Sequence, residues 1–469
     1  MPFYAPYAFM PFMPLSQYAI TPSYSFPTNL IFSYFYLRKG AMKRVNPRTG
    51  EPEWFRLDNA AKIYPAVIGG EFTAVFRISA TLKDEIIYSA LANAIKKVAA
   101  RFPYFNVTLS HGFFWYYLEK TSVMPRLYAD NNEICTAFPI GSKKEVMYRI
   151  MVRQKTLSLE FVHILTDGGG ALEFMKTLLW QYLTNCGKIN TPPVGIIDPD
   201  SNPDPEEYED SFSRYFNRKI PSTENPKPAL HIPFNLKNKP RFSAMTAETD
   251  AASVNAKAKS YGISVTEYLV AVYLYTLQEI FHKMPEKKRR GIIRVQVPVN
   301  LRNHFKSRTM RNFSLFVVPE VDLRLGKFTF RDICETVSHM VRLETHPLRI
   351  SRIIKRNVGS EKNIIVRLMP VFIKRVILSL AYHTFGSGLF TGVLTNMGRI
   401  DFPHETGNHV DAFSITPPPA NPKVKISCGV ASYADKMRIT FGSVAQEKVL
   451  EKEFFRFLTN EGLEVRLLS

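Results

Sequence analysis

The sequence predicts an α/β protein of two lobes, each a mixed β-sheet with covering helices. Two observations predict it. Residues 54–190 and 242–469 each run through short strand-like segments interleaved with amphipathic helices. The stretch between them, 191–241, breaks that rhythm. Ten of the 49 residues from 192 to 240 are proline, and seven acidic residues lie between Asp198 and Asp210 with no basic one. Such a composition marks a connector or a long surface excursion.

Bulk composition narrows the function. A chain of 469 residues has room for two or three domains or two linked lobes. With 45% hydrophobic and 13% aromatic residues, a mainly disordered chain is excluded. Four cysteines, Cys135, Cys186, Cys334 and Cys428, with no CxxC spacing, exclude a disulfide scaffold and a closed zinc site. They read as reduced thiols in a cytoplasmic protein, and no metal site is expected. No stretch of 18 apolar residues runs free of proline or charge, which excludes an integral membrane span. The 61 Lys and Arg exceed the 41 Asp and Glu by 20. They are scattered, without a zinc-finger, RNP-like or helix-turn-helix pattern, so a nucleic-acid partner is not expected. A solvated basic surface and an anionic small ligand are the two readings of that charge.

The elements follow in order. Residues 1–37 hold no charge, six prolines and twelve aromatics, and the composition changes abruptly at Arg38. Residues 1–41 therefore read as an extension outside the fold; the rival reading is an aromatic arm that packs on a partner or a membrane. Glu71–Ala80 alternates like a strand. Lys83–Arg101 carries Ile86, Ile87, Ala90, Leu91, Ala94, Ile95 and Val98 at helical spacing and stops at Phe102-Pro103. Phe105–Leu109 with Phe113–Glu119, and Tyr148–Arg153 with Thr156–Val162, read as two hairpins. A glycine-rich loop precedes an amphipathic helix at Ala171–Thr184. In the second half, Ala251–Tyr261 and the apolar Val265–Lys283 are helices. Ile292–Val299 and Phe313–Val321 are strands, Phe328–Leu343 is a helix, and Asn363–Tyr382 is a helix interrupted at Pro370. Strands at Gly392–Asn396, Val410–Thr416, Lys425–Tyr433 and Met437–Gly442 precede a last helix, Gln446–Asn460. Ile350–Tyr382 mixes Arg and Lys with Ile, Val, Leu and Phe. A packed helix with snorkelling basic residues is the expected reading, and a peripheral membrane contact is the alternative.

The sharpest feature is the run from Phe161 to Gly170, FVHILTDGGG. It places His163 at the end of a strand, where the sheet holds the backbone while the ring projects into a cleft. Asp167 can fold back to orient the loop, and the glycines permit close backbone approach. A satisfied core histidine beside a glycine-rich turn is the competing structural reading.

His163-x-x-x-Asp167-Gly168 resembles the HHxxxDG signature of the CoA-dependent acyltransferase superfamily. That group includes chloramphenicol acetyltransferase, condensation domains, wax ester synthases and alcohol acetyltransferases. Further segments are similar to the family's in the same order: Phe102-Pro103-Tyr104-Phe105 after the first helix, Val297-Pro298-Val299-Asn300-Leu301-Arg302, Arg311-Asn312-Phe313-Ser314, and Thr395-Asn396-Met397-Gly398. The last resembles bacterial alcohol acetyltransferase-like members. The sequence departs from the pattern at Val162, where the family has its first histidine, and it lacks a DFGWG segment.

The resemblance implies two chloramphenicol-acetyltransferase-like lobes with an active-site tunnel between them. It implies no bound cofactor, with acyl-CoA as co-substrate and a small-molecule or lipid alcohol as acceptor. His163 would be the general base, suited by an imidazole pKa near neutrality. Asp167 would be structural, acting through an arginine for which Arg302 is the candidate. Asn312, Ser314 and Asn396 are candidate oxyanion donors. Lys287, Lys288, Arg289 and Arg290 form the densest basic cluster and are candidates for the CoA phosphates. A catalytically silent condensation-like protein that binds a lipid or a partner is the alternative.

Overall fold

The computed structural model describes residues 53–69, 72–131, 133–223, 228–286, 291–382 and 387–468. The expected extension at 1–41 and the basic cluster Lys287–Arg290 lie outside the described residues.

In chain order the strands of the first half are β1 (Trp54–Arg56), β2 (Val75–Leu82), β3 (Val107–His111), β4 (Tyr116–Lys120), β5 (Leu127–Ala129), β6 (Tyr148–Arg153) and β7 (Thr156–Val162). Those of the second half are β8 (Ser243–Asp250), β9 (Ile292–Asn300), β10 (Ser314–Val317), β11 (Glu320–Asp322), β12 (Gly392–Arg399), β13 (Val410–Thr416), β14 (Ile426–Tyr433), β15 (Lys436–Ser443) and β16 (Arg466–Leu467). The longer helices are α1 (Tyr88–Arg101), α2 (Gly168–Asn185), α3 (Ala251–Ser260), α4 (Val265–His282), α5 (Phe330–Glu344), α6 (Pro347–Lys362), α7 (Val371–Ala381) and α8 (Val449–Asn460).

Two larger sheets carry the fold. The first has the order β13-β2-β7-β6-β5, antiparallel throughout except between β5 and β6. The second has the order β10-β9-β12-β14-β15-β8-β16, with β11 also on β9. Strand β12 runs parallel to both β9 and β14, which gives this sheet its mixed character. A small three-stranded sheet, β1-β4-β3, flanks the first. Helices α1 and α2 pack together beside the first sheet. Helix α4, closed by a capping box between Ser264 and Glu267, is buried along most of its length against α5, α8 and β9.

The chain does not divide cleanly at the connector. Strand β13 leaves the second half and pairs antiparallel with β2, Phe413 opposite Ala80. The connector itself is tied down. Glu207 is buried and accepts from both terminal guanidinium nitrogens of Arg101, at 2.8 and 2.6 Å, and from the Tyr104 hydroxyl at 2.7 Å. Its carbonyl accepts from the Met310 amide at 2.6 Å. The prolines keep this segment out of either sheet while its acids anchor it to both halves.

Several boundaries differ from the sequence reading. The first helix starts at Tyr88 rather than Lys83, because the Ile86 amide donates to the Gln154 carbonyl at 3.1 Å and so holds the preceding residues extended. The glycines 168–170 are the first turn of α2, not a loop before it. Phe313–Val321 is two strands broken at Val318-Pro319, since proline offers no ladder donor. The packed helix expected from Ile350 begins at Pro347 and ends at Lys362 as α6, burying Ile350, Ile354 and Val358, rather than running on to Tyr382.

Candidate active site at the junction of the two halves

Strand β7 delivers His163. Its amide donates to the Ala74 carbonyl at 2.9 Å, and the Leu165 amide turns back to the Val162 carbonyl at 2.9 Å. The chain then reverses into α2. Asp167 caps that helix, its Oδ1 accepting from the amides of Gly169 at 3.1 Å and Gly170 at 3.2 Å. The carboxylate's other oxygen reaches the second half. Oδ2 accepts from Arg302 Nη1 at 2.9 Å and from the Phe313 amide at 2.8 Å.

Arg302 is held as a spoke. Besides Asp167, its guanidinium donates to the carbonyls of Thr309 at 3.0 Å and Arg311 at 2.6 Å, and to Asn300 Oδ1 at 3.2 Å. Burial alone would raise the Asp167 pKa, but Arg302 and the amides of Phe313 and Gly170 outweigh it and hold the carboxyl below its usual value. Asp167 is therefore ionised and joins the halves through a charge-assisted pair.

Gly170 is required by space. A Cβ there would lie 2.2 Å from Thr166 Oγ1 and 2.3 Å from the Met310 carbonyl. At Gly168, by contrast, the nearest atom to such a Cβ is the flexible Met397 Cε at 3.5 Å.

The His163 ring is sandwiched. Tyr64 stacks on it at 5.6 Å between centroids and 11° between planes, and Phe76 lies at 4.5 Å. Asn312 fixes the ring's rotation. Its amide nitrogen donates to the His163 carbonyl at 2.9 Å and to Asp58 Oδ2 at 2.9 Å. Both acceptors demand the nitrogen, so the amide oxygen faces His163 Nδ1 at 3.4 Å. Nδ1 then carries the proton and Nε2 keeps its lone pair. Burial lowers the His163 pKa below the ordinary imidazole value. The charge of Asp167 and hydrogen bonds to Asn312 and the Thr166 backbone oppose that shift without cancelling it. The ring is a neutral base at neutral pH.

The structure thus gathers His163, Asp167, Gly168, Arg302 and Asn312. It gives two of the oxyanion candidates other work. Both hydrogens of the Asn312 amide are spent on Asp58 and the His163 carbonyl. Asn396 donates to Thr266 Oγ1 at 2.9 Å and accepts from the Gly398 amide at 2.8 Å, bracing the end of β12. Ser314 opens β10, opposite Asn300. Its hydroxyl is bonded to no other described residue.

Sequence reasoning missed Asp58. It is buried, accepts from the Ala61 amide at 2.7 Å, and takes the backbone and side-chain nitrogens of Asn312 at 3.3 and 2.9 Å. Burial first, then the charge of Asp210, push its pKa up to about 7, against Asn312, Ala61 and Arg311. Arg311 is itself fully buried, facing the rings of Phe55 and Tyr104, and burial lowers its pKa to about 10. The sequence around it, Phe55 to Ala61, mixes Arg56 and Asn59 with apolar residues and offered no signal that singled it out. Tyr64 was missed as one aromatic among many. Among the described residues no cluster of three or more His, Cys, Asp or Glu is placed to hold a metal ion.

Comparison with protein-family models and with curated proteins returns no match. Solved structures do match. TRI101 from F. sporotrichioides, complexed with coenzyme A and T-2, superposes with a TM-score of 0.57 at 11% identity, covering 89% of this chain and 100% of that one. The first condensation domain of the calcium-dependent antibiotic synthetase gives 0.55 at 14%, covering 89% and 99%. Polyketide synthase associated protein 5 from Mycobacterium tuberculosis gives 0.55 at 14%, covering 86% and 96%. The chain shares the fold of these structures. The junction held by Asp167 and Arg302 is where this chain presents His163.

Proposed function

We propose that this chain is a CoA-dependent O-acyltransferase that moves an acetyl or other acyl group from acyl-CoA to an alcohol. The observation that carries the reading is the state of His163: rotation fixed by Asn312, Nδ1 engaged, Nε2 basic, on a strand end where the two halves meet. The acceptor hydroxyl oxygen attacks the thioester carbonyl while Nε2 takes its proton. A C–O bond forms and the carbonyl π electrons move to oxygen. The tetrahedral intermediate collapses, the C–S bond breaks, and the departing thiolate recovers the proton from His163. No covalent acyl-enzyme is needed. Ser314 is the residue we assign to the oxyanion, since its hydroxyl is uncommitted where the amide hydrogens of Asn312 are not.

Asp167 and Arg302 act as positioning residues that set the loop carrying His163. The overall charge of +20 suits a polyanionic co-substrate such as CoA. The acceptor class is a small-molecule or lipid alcohol, and the four free thiols suit a reducing, cytoplasmic setting.

Thiol release from acetyl-CoA and longer acyl-CoAs, with a panel of alcohols, tests the reading. Release that requires an alcohol and disappears in His163→Ala supports it. A folded protein that releases no thiol from any donor, and whose melting temperature CoA does not shift, overturns it in favour of a silent binding protein.

A further inference from the structure

The surface outside the site is unusual between Asn363 and Tyr382. Helix α6 behaves as an ordinary packed helix, burying Ile350, Ile354 and Val358. The chain beyond it does not. From Ile364 to Leu380 eight large apolar side chains are exposed. Phe372, Val376 and Leu380, at 63, 58 and 62% exposure, form one i, i+4, i+8 stripe on α7. The short helix Ile364–Leu368 buries none of its residues. A hydrophobic surface of this kind is not a solvent-facing default.

The stripe does not stand alone. The tip of the β3–β4 hairpin abuts the start of α7: the Val371 amide donates to the Phe113 carbonyl at 2.8 Å, and Lys374 Nζ donates to the Phe114 carbonyl at 2.9 Å. Phe113 is 59% exposed, and Trp115 lies under the Lys374 ammonium at 3.8 Å. Exposed aromatics therefore extend the apolar surface from a second element. Charge frames it. Residues 347–382 carry eight basic side chains and one acidic one, Glu361. Lys362, Arg367 and Arg375 are exposed at its margin.

An apolar stripe with Phe, Trp and Leu, bordered by Arg and Lys, is the chemistry of a helix that lies in a bilayer interface. Among the described residues no helix is long and apolar enough to cross a membrane. We infer that the Ile364–Leu380 surface, with the Phe113–Trp115 tip, docks on an anionic lipid bilayer. A protein partner taking this face would need an acidic rim around an apolar groove. An anionic bilayer offers both halves of that chemistry over the whole surface. The inference rests on exposure and charge, not on the acyl-transfer reading.

Flotation of the full chain with phosphatidylcholine vesicles, with and without phosphatidylglycerol, tests it. The expected result is binding that requires phosphatidylglycerol and weakens with salt. F372S/V376S/L380S should weaken that binding by about tenfold or more with an unchanged melting temperature. R367Q/R375Q should reduce the dependence on phosphatidylglycerol. Turnover of soluble substrates by the triple variant should match the wild type, which separates this inference from the function proposed above. Three results overturn it: no flotation of folded protein, flotation that the triple variant leaves unaltered, or a concentration-dependent dimer that the triple variant abolishes without any vesicle binding.

Discussion

Asn312 and His163 hold each other at two points. The Asn312 nitrogen donates to the His163 carbonyl at 2.9 Å, while its oxygen faces the ring at Nδ1, 3.4 Å away. One side chain from the second half thereby sets both the backbone and the ring rotation of the histidine carried by the first. His163→Ala should lower alcohol-dependent CoA release by about 10²–10⁴-fold. In the wild type the rate should rise with pH through a midpoint below 6.5 and then level off, because burial lowers the His163 pKa and only the neutral ring accepts a proton. A pH–rate profile of kcat/KM checks both statements. A midpoint well above 6.5 would refute the assignment.

Asp167 and Arg302 should be more sensitive to chemistry than to charge. Arg302→Ala leaves a buried carboxylate facing a void and should cost about 3–5 kcal/mol. Arg302→Lys should recover little, because a single ammonium cannot reach Asp167 and the Thr309 and Arg311 carbonyls together. Denaturant unfolding of the two variants checks this. A lysine variant as stable as wild type would show that only the charge matters.

Gly170 and Gly168 should part company. Gly170→Ala must push aside the Met310 backbone and should cost at least about 2 kcal/mol. Gly168→Ala meets only the end of Met397 and should be near neutral in stability. Thermal melting of the two single variants decides the point.

Asp58 has a signature of its own. A carboxyl whose pKa is higher folded than unfolded binds more protons in the folded state. Its contribution to stability is full below about 4 and is lost as pH rises through 7. The stability of wild type relative to Asp58→Asn should therefore grow as pH falls from 8 to 5. The same variant keeps only one acceptor oxygen, so its amide nitrogen must face either the Ala61 amide or the Asn312 nitrogens, and kcat should fall by about tenfold or more with KM little changed. Denaturation at several pH values, alongside steady-state kinetics, measures both.

How much of this was legible depends on range. The β6–β7 hairpin appears at the bounds its alternation gives, Tyr148–Arg153 and Thr156–Val162, because its partners are adjacent in sequence. Val265–Lys283 is likewise legible, since an apolar run with a capping box needs no distant help. His163 and Asp167 stood out by residue type and spacing. Asp58 and Tyr64 did not, because their roles exist only once Asn312 and the His163 ring arrive beside them. The membership of Gly168–Gly170 in α2 depends on the Asp167 carboxylate turning back to cap them, which composition alone argues against. The bounds of helix α6 were not legible, because Ile350, Ile354 and Val358 form its buried stripe while the mixture of basic and apolar residues around them runs on past Lys362.

Strand β13 completes a sheet whose other members precede it by roughly 250 to 330 residues. During synthesis the ribosome therefore delivers β2 long before its partner exists. Until residues 410–416 emerge, β2 presents a bare edge of unpaired amides and carbonyls to the cell. The five-stranded sheet is thus completed only after residues 410–416 are made, and until then its open edge is a place where another strand can pair. Cutting the gene at the connector would make that open edge permanent.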